Sequence, residues 1–160
     1  MGKREELFNE LIAHQSAETK DWVIKMNQLL TQHGCKVTVD KNGNFTYASK
    51  QSNKIMCRIT MNEKGCTVRP NTIHAAHSDA IQAQPPQPML DIMQSARGCG
   101  GCAKANPAFV ACKHGGPYQF AYNGQQFESC RYVGFNFPTT DAQTRDVLEK
   151  WIEKELNHAQ

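Results

Sequence analysis

The chain has 160 residues, of which 39% are hydrophobic and 21% charged, with a net charge of +3. That length fits one domain with one core and needs no disulfide staples. The small charge gives no case for a nucleic-acid domain, and a mean hydropathy of -0.60, with no apolar run near the ~18 residues of a membrane span, excludes a membrane-spanning helix.

The first residues, Met1-Gly2-Lys3-Arg4-Glu5-Glu6, lead into no apolar signal core, and Glu6 breaks a myristoylation motif, so a cytoplasmic protein is expected. Residues 4–33 read as helical. Phe8, Leu11 and Ile12, then Trp22, Val23, Met26, Leu29 and Leu30, recur at spacings of three and four. Ser16 interrupts the series and suits an N-cap, so the segment forms one long helix or two, and Gly34 is the expected stop.

Residues 36–48 read as a hairpin. Asp40-Lys41-Asn42-Gly43 suits a type I turn with a left-handed glycine bulge, which sets Val37 and Val39 opposite Tyr47 and Phe45 on one face. In the next strand, 54–61, Ile55, Cys57 and Ile59 alternate with Lys54, Arg58 and Thr60. A second turn of the same kind, Asn62-Glu63-Lys64-Gly65, leads into Cys66-Thr67-Val68. Residues 36–69 carry seven basic side chains against Asp40 and Glu63, which reads as a solvated sheet face.

Residues 70–88 hold four of the seven prolines and read as a loop with a helical turn near 74–81, followed by a short helix over 88–96. Residues 117–136 form a further hairpin, whose Asn123-Gly124 turn sets Phe120 opposite Phe127. Tyr132, Phe135 and Phe137 follow in strand-like sequence. The last helix begins with Thr140 as N-cap and Gln143 three residues later, and its stripe is Val147, Leu148, Trp151, Ile152 and Leu156. Asp146 and Lys150 are spaced to pair on its polar side.

The expected fold class is α+β: antiparallel sheet or sheets, with the N-terminal and C-terminal helices packed on one side and a cysteine- and glycine-rich metal loop. We read residues 1–160 as a single domain: helical 4–33, β-rich 36–69, loop and helix 70–97, cysteine-rich loop and hairpin 98–137, and helix 140–157. Each half has an Asn-Gly turn and a Cys-Arg pair (Cys57-Arg58 and Cys130-Arg131), but the spacings differ and no repeat is assigned.

Seven cysteines, an odd number, argue for reduced thiols or metal ligands rather than a disulfide framework. Cys99-Gly-Gly-Cys102 is the sharpest feature, because two thiolates on a tight turn can face one tetrahedral ion. Cys112 follows ten residues later and Cys130 eighteen after that, so the expected zinc ligands are Cys99, Cys102, Cys112 and Cys130, with His114 as the substitute. A redox dithiol fits less well, since a helix precedes the motif and Pro107 follows it. His74-Ala-Ala-His77 with Asp79 lacks the glutamate of a zinc hydrolase motif and reads as polar loop.

Tyr118 and Tyr132, with Arg58 and Arg131, are the candidate ligand-binding residues, the tyrosines for a flat or apolar ligand and the arginines for an anionic group. No phosphate loop, nucleophile elbow or dinucleotide fingerprint is present. The expected function is therefore a small structural-zinc domain with a small-molecule or protein partner, rather than nucleic acid or membrane. The alternative is a thiol- or metal-dependent enzyme built on Cys99 and Cys102, with His114 or His77 nearby.

Overall fold

A computed structural model describes residues 2–71, 85–95, 117–122, 124–130 and 134–158; for 117–122 and 127–130 it describes the backbone. The helical start of the chain is two helices, α1 (Lys3–Ala13) and α2 (Ala17–Gln32). Ser16 separates them by capping α2, its side chain accepting from the Thr19 N–H at 3.3 Å. Gly34, at φ +76°, ends α2 in the left-handed conformation that only glycine adopts freely.

Strands β1 (Cys35–Val39), β2 (Asn44–Ser49), β3 (Ile55–Asn62) and β4 (Gly65–Pro70) follow as an antiparallel meander. A short strand from much later in the chain, β7 (Phe137–Pro138), completes a five-stranded sheet of order β1-β2-β3-β4-β7. Between them come helix α3 (Gln87–Ser95) and a separate two-stranded hairpin, β5 (Pro117–Tyr122) and β6 (Gln125–Cys130). Helix α4 (Ala142–His158) closes the described residues. Helices and antiparallel strands are segregated, so the class is α+β.

Register fixes the buried face. One row runs Val39, Phe45, Ile59, Val68 and Phe137 across all five strands, and a second runs Val37, Tyr47 and Cys57 across the first three. Helices α1, α2 and α4 all meet this face. Phe8 of α1 packs edge-on against Phe45 at 5.4 Å, Asn27 of α2 accepts the Tyr47 hydroxyl at 2.9 Å, and Trp151 of α4 packs edge-on against Phe137 at 5.9 Å. The opposite face carries Lys36, Thr38, Asn44, Thr46, Arg58, Thr60, Thr67 and Arg69. A shift between Tyr47 and Ala48 sets Ile55 opposite Ala48, leaving Ile55 43% exposed and Met56 buried. The alternation expected for Ile55 therefore fails at the bulge. The second turn also differs from expectation, because Asn62 pairs with Gly65 and leaves only Glu63 and Lys64 between them.

Helices α2 and α4 run side by side in the same direction. Thr19 donates to the Thr139 carbonyl at 3.4 Å near the start of both, and Lys25 forms an ion pair with Glu149 midway. Near their ends, Gln32, His33 and Leu156 line one cleft. All five stripe residues of α4 are buried, and so are both tryptophans, Trp22 and Trp151, whose indole N–H groups have no acceptor among the described residues. Among the described residues Asp146 and Lys150 form no ion pair; the polar side of α4 is tied through Glu149 instead.

The cap of α4 is Asp141 rather than Thr140. Its carboxylate accepts the Thr144 N–H at 2.8 Å and the Thr144 hydroxyl at 2.7 Å. Burial alone would raise this carboxyl's pKa, but those two bonds and the nearby Arg145 charge outweigh it and hold the group below the usual aspartate value. A depressed folded pKa gives stability that is complete above the unfolded value and vanishes as pH falls through the folded one. Asp141→Ala is expected to cost about 1 kcal/mol near neutral pH. Urea melts should show that gap narrowing as pH falls below the unfolded aspartate value of about 3.9 and closing only below the lowered folded one, where both states bind the proton.

Candidate functional site

The structure divides the cysteines. Cys35, Cys57 and Cys66 lie on β1, β3 and β4 at 4%, 0% and 5% exposure, all as free thiols. Burial pushes the Cys57 thiol far above its usual pKa, with the neighbouring Cys66 and Cys35 adding to the effect. Burial pushes Cys66 up to about 11 against an opposing contact from the Thr139 side chain, and it raises Cys35 against the charge of Lys50. Thiols held protonated in an apolar face behave as small hydrophobes and are poor nucleophiles or metal ligands.

Four cysteines remain. Cys99, Cys102 and Cys112 lie outside the described residues, as does His114. Cys130 ends β6, where its Cα partner is Pro117, the first residue of β5. Pro117 is the fifth residue after Cys112 in the sequence. On the other side of residues 96–116 in the sequence, α3 packs against β6, with Gln94 donating to the Gln125 side chain at 2.7 Å. The described elements that flank residues 96–116, α3 and β5, thus both contact β6. Among the described residues, no group of three or more histidine, cysteine or acidic side chains is placed to hold a metal.

The candidate ligand residues are scattered. Tyr118 lies on β5 with Ser129 as its Cα partner, while Tyr132 and Arg131 fall outside the described residues, as do His74, His77 and Asp79. Arg58 sits on the sheet's outer face, partly buried, and its Nε donates to Thr46 Oγ1 at 3.2 Å.

Sequence reasoning missed a cleft of about 590 Å³, lined in part by His33, Cys35, Ser49, Lys50 and Leu156. It lies where the carbonyl ends of α2 and α4 converge, a setting that favours positive charge, and Lys50 lines it there. Its polar groups are largely engaged in the fold. The Lys50 N–H donates to the Gly34 carbonyl at 3.2 Å, His33 Nδ1 contacts the Leu29 carbonyl at 2.8 Å, and Ser49 Oγ accepts from the Gln51 and Ser52 N–H groups. The only early sign of it was the Gly34 stop, because the cleft exists only once α4 docks beside α2.

No helix among the described residues is long and apolar enough to cross a membrane. No protein-family model matches the chain, and neither a curated protein nor a solved structure matches it significantly.

Proposed function

We propose that the protein is a small cytoplasmic zinc-binding domain with a binding or regulatory role, its ion held by Cys99, Cys102, Cys112 and Cys130, with His114 as the substitute ligand. The observation that supports this most is the division of the cysteines. Three are consumed as core hydrophobes, which leaves the four that share the C-terminal half of the sequence, of which Cys130 ends the β5–β6 hairpin. A two-stranded hairpin is marginal in water by itself. A shared ion would tie it to the loop 98–116, a segment poor in large apolar residues, and a structural zinc site supplies folding energy directly.

Protein purified under reducing conditions is expected to carry about one zinc per chain by elemental analysis. Changing Cys99, Cys102, Cys112 or Cys130 to serine should lower that content, whereas Cys35→Ala and Cys66→Ala should leave it unchanged. Metal-free protein from every preparation, or equal loss in all variants, would overturn the assignment. Rapid alkylation of Cys99 or Cys102 alone at neutral pH, in metal-free protein, would favour the thiol enzyme instead.

A further inference from the structure

Strand β1 has one neighbour among the described residues, β2, so its other side is an edge of the sheet. The Lys50 N–H donates to the Gly34 carbonyl and the Asp40 N–H to the Asn44 carbonyl, both at 3.2 Å. Hydrogen-bonded pairs alternate in an antiparallel ladder, so residues 34, 36, 38 and 40 turn their main-chain groups toward β2. Cys35, Val37 and Val39 turn theirs outward. Cys35 is 4% exposed and therefore covered, whereas Val37 and Val39 are half-buried and Lys36 and Thr38 are exposed.

Native sheet edges are blunted by proline, by a bulge or by charge. β1 has no proline, and its register with β2 runs unbroken from Cys35 to Val39. Two cations stand beside it. Arg4 Nη1 reaches the outward Val37 carbonyl at 3.4 Å, a long and exposed contact that leaves the oxygen's second lone pair open. Lys36 donates to Asn53 Oδ1 at 3.2 Å, which uses one of its three protons. The Asp40 carboxylate accepts from the Asn42 and Asn44 N–H groups and from Asn44 Nδ2, so it is held at the end of the strand, where it continues the row of Lys36 and Thr38.

We propose that this edge is an interface between two copies of the chain, the β1 strands pairing antiparallel about a twofold axis at Thr38. Such a contact puts the same strand on both sides, so it must be complementary to itself. Val37 of each copy faces Val39 of the other, and these pairs exchange four main-chain hydrogen bonds. Thr38 then meets Thr38, and Lys36 of each copy stands opposite Asp40 of the other, an opposite-charge pair at either end of the contact. Moving the axis to Val37 would need the covered Cys35 and would set Lys36 against Thr38. Moving it to Val39 would set Val37 against Lys41, which lies in the turn. Charge and burial thus select one register. The interface uses no metal and none of the cysteines.

The test is sedimentation equilibrium of the whole chain under reducing conditions, with zinc content measured on every sample so that failure of the metal assignment is read separately. The wild type is expected to pass from one chain to two between about 10 µM and about 1 mM, since a single edge contact lies at the weak end of protein interfaces. Thr38→Lys sets two cations face to face at the axis. It should weaken the dimer at least about tenfold while melting within about 3 °C of the wild type. Lys36→Glu should weaken it as well, and Lys54→Glu, the same charge change away from β1, should match the wild type. Oxidised glutathione then reads the register. Thr38→Cys should give a dimer linked through position 38, because Cα atoms in such a pair lie about 4.5 Å apart. Lys36→Cys should give no such link, since its two copies stand about 14 Å apart. A wild type that stays monomeric, a Thr38→Lys dimer as tight as the wild type, or equal linkage at positions 36 and 38 would overturn the interface.

Discussion

Replacing Gly43 with alanine is expected to cost about 3 kcal/mol, because the site rejects a side chain in two independent ways. Gly43 sits at φ +75°, where an L-residue is strained by roughly 1–2 kcal/mol. Any Cβ there would also lie 2.5 Å from the backbone oxygen of Met61 and 2.9 Å from Leu11 Cδ1. The first contact is with backbone, so no rotamer change relieves it. Retreat is opposed on both sides, since the Met61 N–H donates to the Gly43 carbonyl and the Gly43 N–H to the Asp40 carbonyl, each at 3.2 Å. Urea denaturation should show a lower midpoint at unchanged slope. Asn42→Ala, one residue earlier and exposed, serves as control and should stay within about 1 kcal/mol of the wild type. A loss below about 1 kcal/mol at Gly43 would mean that the turn can reopen without disturbing β3.

Trp151→Ala is expected to cost about 4 kcal/mol, in the range for a large aromatic removed from a core. The side chain is 3% exposed and meets Phe137 edge-on at 72°, so it is the bolt between α4 and the last strand of the sheet. Trp151→Phe separates ring packing from the polar edge. The indole N–H has no acceptor among the described residues, so phenylalanine removes an unsatisfied donor while leaving a smaller void. We expect it to cost about 1–2 kcal/mol, well below the alanine change. Equal losses in the two variants would show that the outer ring atoms carry the contact.

Local chemistry made much of this architecture legible. The Asp40–Gly43 turn fixed the pairing of Val37 with Tyr47 and Val39 with Phe45, and the spacing of Val147 through Leu156 marked the buried side of α4. What escaped depends on contacts distant in the chain. The strand at Phe137–Pro138 has two residues, too few for any period, and exists because β4 offers it an edge. The bulge that turns Ile55 outward arises from pairing with β2, which no pattern within 54–61 records. Asp141 displaced Thr140 as the cap because its carboxylate reaches both donors of Thr144. Of the candidate metal ligands only the backbone of Cys130 was located, opposite Pro117, as the Asn-Gly turn implied.

The late arrival of the fifth strand has a consequence for biosynthesis. β4 leaves the ribosome with its outer edge unpaired, and its partner residues, Phe137 and Pro138, follow nearly seventy positions later. Until then the nascent meander presents open amide and carbonyl groups beside Val68, the kind of template on which chains aggregate. Proline at position 138 gives the finished sheet a terminal strand that cannot easily be extended further, so the hazard is confined to the interval before the C-terminal segment docks.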